Sequence, residues 1–329
     1  MKTLLLDSTQ IGEAAAVIRR GGLLVFPTET VYGLGASAWD GEACTRIFEA
    51  KGRPADNPLI VHISGLPMLP EVAASVPEAA AKLFEVFAPG PLTVILSRGP
   101  RIPDAVTAGL DSVGVRIPAH PVAQALLKAV GMPIAAPSAN RSGRPSPTDF
   151  ETAVRQMQGR VDALLDGGRC EHGLESTILR VGEDGVAVLR EGAVTQEMIR
   201  SVLPGTEVRG SAEAREAGEP APAPGTRHAH YMPNAPVVVA EPQEVPRVVS
   251  RYAELRLGYV GTLPLYGPLT TVPALTVRVS SFEDYARRLY RSFYLFDAAG
   301  CEVIVAELPP AEGLGRALRD RLIRAAGRR

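Results

Sequence analysis

Hydrophobic and polar positions along the first two thirds of the chain follow a pattern that interleaves helices with strands. Residues 11–20, "IGEAAAVIRR", place apolar side chains on one helical face, and the run "LLVF" that follows two glycines has the length of a buried strand. The alternation then repeats, with helices predicted in "EACTRIFEAKG", "AAAKLFEVFA" and "VAQALLKAV" and strands in "LIVHI", "LTVIL", "VGVRI", "IAAPSA", "STILRV" and "VAVLR". Strands interleaved with helices predict an α/β domain with a twisted, mixed sheet in residues 1–205.

The pattern changes near residue 204. Residues 206–235 are rich in Pro, Gly, Ala and Glu and lack apolar periodicity, which predicts a long extended linker. Beyond it, "VVVA", "RLGYVGT", "LTVRV" and "VIVAEL" predict strands, and "LGRALRDRLIRAAG" predicts a helix. Another helix is predicted from Phe282, with one apolar face formed by Tyr285, Leu289, Phe293 and Phe296. Residues 236–329 are therefore expected to form a second, small Rossmann-like α/β domain.

Composition limits the classes of function. With 329 residues, 46% hydrophobic and 22% charged, the chain fits two globular domains, and its formal net charge of −1 predicts no general surface for polyanions. The cysteines, Cys44, Cys170 and Cys301, are far apart and form no CxxC pair, so neither a disulfide framework nor a zinc site is indicated. Without an apolar run near the ~20 residues of a membrane span, a cytoplasmic protein with no membrane partner is expected.

The standard nucleotide and hydrolase motifs are absent. The sequence has no GxxxxGK[ST] phosphate loop, neither "GLGASAWDG" nor "GLGRALRD" completes GxGxxG, and no GxSxG elbow occurs. The candidates that remain are polar residues at the ends of predicted strands.

Three such segments carry the chemistry. "KGRPADNPLIVHI", residues 51–63, contains Lys51 and Arg53, two cations that bind phosphate in different geometries, and His62. The alternative for Lys51 is a solvated position at a helix end, and the alternative for His62 is an ordinary core histidine. "PTETVYGLG", residues 27–35, has glycines that let backbone approach a ligand, although an ordinary turn has the same composition. In "APSAN", Ser138 and Asn140 lie at i and i+2, so on extended backbone their side chains share one side.

Together the segments resemble a known family. "FPTETVYGLG", "KGRPADNPLIVHI", "PGPLTVIL", "VTAGLDSVGVRIPAHP", "IAAPSANRSGRPSPT" and "GLESTI" are similar, in order and spacing, to the threonylcarbamoyl-AMP synthase family over most of residues 5–205. "HYMPN" and the trailing domain resemble its two-domain branch. The resemblance implies a YrdC-like catalytic domain in residues 1–205, a linker or lid in 206–235 and a C-terminal domain in 236–329.

The resemblance also implies an activity. The family's nucleotidyltransferase reaction joins L-threonine, bicarbonate and ATP into threonylcarbamoyl-AMP and pyrophosphate, and the product feeds threonylcarbamoyladenosine formation in tRNA. A downstream tRNA threonylcarbamoyl transferase is therefore an expected partner, whereas stable direct tRNA binding is not expected. Mg²⁺ is expected to accompany ATP, with no metal ligand among the residues of the protein.

The matched motifs assign residues to roles. The catalytic KxR and SxN pairs fall on Lys51, Arg53, Ser138 and Asn140. Threonine-binding positions fall on Thr30, His62, Arg116, Ala136 and Ser176. ATP-binding positions fall on Arg53, Asn57, Ser112, Ser138, Ser146, Arg190 and Tyr231.

Physical reasoning agrees with these roles, because a carbamate and an ATP α-phosphate are both negative and need cations to approach each other. Arg116 suits a two-pronged grip on the threonine carboxylate. Lys51 and Arg53 are expected to face solvent in the cleft and to add little to stability. The chain departs from the family at His228 and Ala229, just before "HYMPN".

Three alternatives stay open. A non-catalytic RNA-binding protein with a basic cleft predicts affinity that falls steeply with salt. A carbamoyl or acyl transferase for another amino acid differs only in the size of its pocket. For the linker, the hypothesis of a lid that excludes water over the cleft stands beside a passive tether.

Overall fold

The computed structural model describes residues 2–216, 230–262 and 273–327. Its strands are β1 Leu4–Leu6, β2 Leu24–Phe26, β3 Gly33–Ser37, β4 Ile60–His62, β5 Ala73–Ser75, β6 Leu92–Arg98, β7 Ser112–Arg116, β8 Ile134–Ala136, β9 Ala163–Leu165, β10 Thr177–Gly182, β11 Gly185–Arg190, β12 Val208–Arg209, β13 Val237–Ala240, β14 Leu257–Gly261, β15 Leu275–Arg278 and β16 Val303–Glu307. Its α-helices are α1 Ile11–Arg19, α2 Gly41–Lys51, α3 Leu69–Val72, α4 Glu78–Phe87, α5 Asp104–Thr107, α6 Pro121–Val130, α7 Phe150–Met157, α8 Gln196–Val202, α9 Ser211–Glu216, α10 Val245–Arg251, α11 Phe282–Ala298 and α12 Leu314–Ala325.

The first domain is built on one mixed sheet, as the sequence predicted. Its strand order is β1, β9, β2, β3, β8, β4, β7, β6, β10, β11, β12, and β5 pairs with β6. Parallel pairs such as β4 with β7 adjoin antiparallel pairs such as β6 with β7. Alternate side chains separate the two faces, so Val61, Val94, Val115 and Leu179 enter the main core while Ile60, Ile95 and Ile178 form a small apolar cluster on the other face.

The second domain is a four-stranded sheet in the order β13, β16, β14, β15, with every neighbouring pair parallel. The face predicted for the long helix is confirmed, because Tyr285, Leu289, Phe293 and Phe296 are all buried. The core of this domain also takes in Val31 and Leu174 from the first domain. The two domains are therefore joined by apolar contact.

Part of the predicted linker is folded, which corrects the expectation for residues 208–216. Strand β12 pairs in parallel with β11, and α9 follows it with Ala214 buried. A two-residue strand and a six-residue helix are too short to show a hydrophobic period, so the sequence pattern missed them. Residues 217–229, which include His228 and Ala229, and residues 263–272 lie outside the described part of the chain.

The pattern also missed elements in the first domain. β1, β3, β9 and α7 were not predicted; β3 begins at Gly33, so only the end of "PTETVYGLG", where a turn was the alternative, is a strand. Cys44, Cys170 and Cys301 are buried free thiols. Among the described helices, none combines the length and apolar character needed to span a bilayer.

Candidate active site

Backbone register collects polar side chains into one row across five strands. His62 pairs with Arg116, Arg116 with Thr93, Thr93 with Ile178, and Ile178 with Arg190. Residues paired directly across a sheet point to the same face, so His62, Arg116 and Arg190 share one surface. Four strand spacings of about 4.8 Å place the two ends roughly 19 Å apart along the sheet. The row is long enough to accommodate an amino acid and a nucleotide together.

A cleft of about 550 Å³, including its open mouth, lies over this row. Its floor comes from strand residues and its walls from five segments that lie outside the strands. It is lined by Thr28, Val31, Gly33, Arg53, Ile60, His62, Arg116, Ala136, Pro137, Ser138, Glu175, Ser176, Arg190, His230 and Tyr231.

Arg116 forms a buried ion pair with Glu29. Its Nη2 donates to Glu29 Oε1 at 2.5 Å, and the Ala119 backbone N–H donates to Glu29 Oε2 at 3.0 Å. Burial alone would raise the pKa of Glu29, but the Arg116 guanidinium prevails and the pKa is lowered. Arg116 Nε is buried and has no partner among the described residues. Arg116 also lines the cleft, which places its guanidinium beside the space where a carboxylate can bind.

His62 is neutral at physiological pH. Burial, reinforced by the neighbouring Arg116 charge, lowers its pKa to about 3. The ring lies edge-on to Phe26 at 5.8 Å between centroids, and Nδ1 lies 3.1 Å from the Ile60 carbonyl oxygen. A neutral imidazole that lines the cleft fits contact with an uncharged part of a substrate, and His62 is not merely a core residue.

Lys51 is buried at the end of α2, which corrects the expectation of a solvent-facing cation. It is 4% exposed, and its Nζ donates to the Ser138 carbonyl oxygen at 2.5 Å and to that of Asn140. Burial and then the charge of Arg53 lower its pKa well below the usual lysine value. Among the described residues Lys51 supports the loop that carries Ser138, whose Oγ donates to Asn140 Oδ1 at 2.5 Å.

Arg53 is also buried, at 9% exposure, yet it lines the cleft. Its Nε and Nη2 donate to the Asn57 carbonyl oxygen at 3.3 and 3.2 Å, which fixes the guanidinium against the proline-containing turn. Burial lowers its pKa to about 10, so it stays charged at neutral pH. The Asn57 side-chain nitrogen Nδ2 is buried without a partner among the described residues.

Glu175 is a second buried carboxylate, at the other side of the cleft. It accepts from Ser146 Oγ at 2.6 Å, from the Tyr290 hydroxyl at 3.0 Å and from Arg321 Nε at 3.0 Å. Burial would raise its pKa, but Arg321, then Arg190, then the Ser146 hydrogen bond lower it to about 2. Glu175 is therefore ionised, with Arg190 close to it.

The end of the linker forms one wall. Tyr231 has a φ of 69° and is stacked on Tyr290, with centroids 5.2 Å apart, and Arg321 lies 5.6 Å from its ring centroid. His230 Nε2 is buried and has no partner among the described residues. Burial, then the charges of Arg53 and Lys51, lower the pKa of His230 to about 3.

The structure brings together most of the predicted residues. Those that line the cleft are Arg53, His62, Arg116, Ala136, Ser138, Ser176, Arg190 and Tyr231. Lys51, Thr30, Asn140 and Ser146 lie behind that lining and hydrogen-bond to residues near it; Thr30 Oγ1, for example, is 2.8 Å from Thr28 Oγ1. Ser112 begins the strand that ends at Arg116, four residues away or about 13 Å. The catalytic and ligand-binding roles of all these residues, Asn57 and Ser112 included, stay predictions.

The sequence analysis assigned no role to Glu29, Glu175 or Arg321. Both glutamates stood inside quoted motifs, "PTETVYGLG" and "GLESTI", where a single carboxylate among apolar and small residues was the available signal. Arg321 is one of many arginines, and its partner is 146 residues away.

Comparison with known proteins supplies the family. Residues 16–192 match the family described as telomere recombination, and residues 194–327 match the threonylcarbamoyl-AMP synthase C-terminal domain. The chain is 40% identical to the threonylcarbamoyl-AMP synthase of Bacillus subtilis, covering 98% of this chain and 94% of that protein. It is 39% identical to the Pyrococcus abyssi protein of the same name, covering 98% and 96%.

The fold agrees with a solved relative. The crystal structure of Pyrococcus abyssi Sua5 complexed with L-threonine superposes with a TM-score of 0.90 at 37% identity, covering 99% of this chain and 98% of that one. Fold, site and comparisons agree, and the chain belongs to the threonylcarbamoyl-AMP synthase family in its two-domain form.

Proposed function

We propose that this chain makes threonylcarbamoyl-AMP and pyrophosphate from L-threonine, bicarbonate and ATP. The observation that carries the proposal is the row of paired residues that places Arg116 and Arg190 on one face of one cleft. The named activity of the Bacillus subtilis and Pyrococcus abyssi relatives, and the threonine complex of the latter, support it.

The proposed reaction joins two anions. The threonine amine condenses with bicarbonate and loses water, and an oxygen of the resulting carbamate attacks the α-phosphorus of ATP. The bond to the β-phosphate breaks, and pyrophosphate leaves. The attack requires positive charge at both ends of the cleft, and Arg53, Arg116 and Arg190 provide it.

Threonine is proposed to bind at the Arg116 end. Arg116 is already oriented by Glu29, and its buried Nε is without a partner in the described chain. The threonine carboxylate would accept from it, while neutral His62 contacts the rest of the amino acid. Ser176 lies between the two ends of the row. Its Oγ is 2.8 Å from Oγ1 of Thr93, which pairs with Arg116, and it accepts a hydrogen bond from Arg190. The nucleotide is proposed to bind at the Arg190 end.

Magnesium is proposed to enter with the phosphates of ATP. The described residues contain no group of three or more His, Cys, Asp or Glu side chains placed to hold a metal. Glu175, which lines the cleft, and Glu29, which lies behind Arg116, are each bonded to an arginine, so they do not fit a resident ion. We assign the protein no step through the metal.

The remaining expectations concern partners and location. A nucleotidyltransferase that releases threonylcarbamoyl-AMP needs a downstream tRNA threonylcarbamoyl transferase, and we propose one as the acceptor of its product. The cysteines are free and buried, as suits a cytoplasmic protein. Tyr231 and His230 line the cleft, which supports the lid hypothesis for the linker over a passive tether.

The test is pyrophosphate release from ATP, with threonine and bicarbonate omitted in turn. We expect release to require both, because the nucleophile forms only from the two together. Serine and glycine serve as matched controls for the amino acid. Equal release with either of them, or release without bicarbonate, would contradict the assignment. RNA binding that falls steeply with salt, without nucleotide turnover, would favour the alternative of an RNA-binding protein.

A further inference from the structure

Residues 173–176, "GLES", connect the cleft to the second domain, because Glu175 and Ser176 line the cleft and Leu174 is buried in the apolar cluster of the second domain. Gly173 has a φ of +76°, and a Cβ there would lie 2.4 Å from the Ala286 carbonyl oxygen and 2.4 Å from Arg287 Cα, both on α11. Only glycine allows this contact, because any side chain would meet backbone. The segment that ends at Ser176 is therefore seated directly on the second domain.

The same segment holds the threonine end of the cleft. The backbone N–H groups of His172 and Gly173 donate to the carbonyl oxygens of Glu29 and Thr30, at 2.8 and 3.1 Å. Leu174 is buried in the apolar cluster of the second domain. Displacement of this segment would consequently shift Glu29 and its ion pair with Arg116.

Glu175 links the same contact to the nucleotide end. The Glu175 carboxylate accepts from Arg321 Nε and the Tyr290 hydroxyl of the second domain, and also from Ser146 Oγ of the first domain. Ser176, next to Glu175, accepts from Arg190 through its backbone oxygen at 3.0 and 2.9 Å and through Oγ at 3.1 Å. The Glu175 carboxylate is thus bonded to Ser146 directly and lies one residue from Ser176, which holds Arg190.

We propose that Arg321, on the second domain, is a positioning residue of the active site that holds Glu175 and, through it, the nucleotide-binding side chains. The proposal rests on the proposed function, because the ligand whose site it positions is ATP. Arg321 is fully buried, 0% exposed, and its Nε–Glu175 bond crosses the boundary between the domains. It also lies over the Tyr231 ring, so one guanidinium supports two walls of the cleft.

The charge surroundings of Glu175 predict a specific consequence. The charged and titratable groups that face it are Arg321, Tyr290, Arg190, Lys51, Tyr231 and His230. Arg321 is the strongest of the groups that lower its pKa, so removing this cation raises that pKa. Below the raised pKa the carboxyl group is protonated and no longer holds its neighbours as an anion.

The experiment measures the Kd of ATP by calorimetry in the full-length chain, which needs no turnover. Arg321→Met is expected to raise the Kd roughly 10- to 100-fold, as misplacement of binding groups does, and Arg321→Lys to restore part of the loss. The ratio of variant to wild-type Kd should grow as pH falls from about 8 to about 5 for Arg321→Met, and stay flat for Glu175→Gln.

Arg316→Met is the matched control. Arg316 lies on the same helix and also crosses the domain boundary, to Glu197, but in an exposed ion pair away from the cleft. The Kd of ATP for the Arg316→Met variant should stay within about twofold of the wild-type value. A loss as large as that of Arg321→Met would overturn the proposal, since any bridge between the domains would then suffice.

A double-mutant cycle separates positioning from folding. If Glu175 transmits the effect, adding Arg321→Met to Glu175→Gln should change the Kd by less than about threefold. An equal loss in both backgrounds, a wild-type Kd in Arg321→Met, or a flat pH ratio would overturn the proposal. If Arg321→Met alone does not fold, the Kd of ATP for the double variant, compared with that for Glu175→Gln, shows whether Arg321 acts through Glu175. Wild-type ATP binding without pyrophosphate release would refute the proposed function and leave this test intact.

Discussion

At the scale of single residues, the site depends on buried charges that are paired in advance. Glu29 orients Arg116, Arg321 stabilises Glu175, and Lys51 is held by two carbonyl oxygens. An arginine held by a buried carboxylate loses little further side-chain freedom when a substrate binds, which lowers the entropic cost of binding. Lys51, Arg53, Arg116 and Arg190, which the sequence analysis selected as cations of the cleft, are thus also buried residues of the protein interior.

Arg116→Lys should raise the KM for threonine roughly 10- to 100-fold and leave the KM for ATP within about twofold. Lysine keeps the charge but cannot bond Glu29 and a substrate carboxylate through one planar group. Steady-state pyrophosphate release with each substrate varied provides the measurement. Arg98→Lys, at the exposed end of β6 where Arg98 pairs with Asp104, should change neither constant. A rise confined to the KM for ATP would move Arg116 to the nucleotide end.

At the scale of elements, short strands position the side chains of the cleft. β4 and β8 have three residues each, yet their register places His62 beside Arg116 and Ala136 beside Ile60. Few residues fix each strand, so contacts between loops and helices supply the remaining constraint. Gly173 makes one such contact, since a Cβ there would meet α11 backbone at 2.4 Å.

Gly173→Ala should destabilise the protein more than Gly168→Ala. Both glycines have φ values near +77°, so each substitution carries left-handed strain of about 1–2 kcal/mol. A Cβ at Gly168 would meet open space, whereas one at Gly173 meets α11 backbone at 2.4 Å and adds about 1–3 kcal/mol of overpacking. Urea unfolding of both variants measures the difference. Equal losses would show that α11 moves away without cost.

At the scale of the whole molecule, the second domain completes the first. Val31 and Leu174 are buried in its apolar cluster, and Arg144 and Tyr294 add further bonds across the boundary, to Asp297 and to the Pro145 carbonyl oxygen. Buried apolar surface and a buried ion pair across one boundary favour unfolding as a single unit. The domain limits at 205 and 235 stay a prediction, although β12 and α9 pack with the first domain.

The buried Glu175 should make stability depend on acid. Its pKa is lowered from 4.5 to about 2, so its ionisation contributes ~3 kcal/mol that is fully present above pH 4.5 and is lost as pH falls toward 2. The free energy of unfolding of Glu175→Gln should fall less steeply over this window than that of the wild type. Urea unfolding at several pH values measures both slopes. Parallel slopes would mean that folding does not shift the pKa of Glu175.

The sequence by itself determined the features that are local. Helical and strand periods are set by neighbouring residues, so the α/β class, the second domain and most elements followed from the pattern. The KxR and SxN pairs followed as well, because each is contained within three residues. Tertiary structure alone decided the rest: Glu175 meets Arg321 across 146 residues, and register aligns His62 with Arg190 across five strands. Whether Lys51 faces water or the interior likewise depends on which distant carbonyl oxygens surround it, and no local period encodes that.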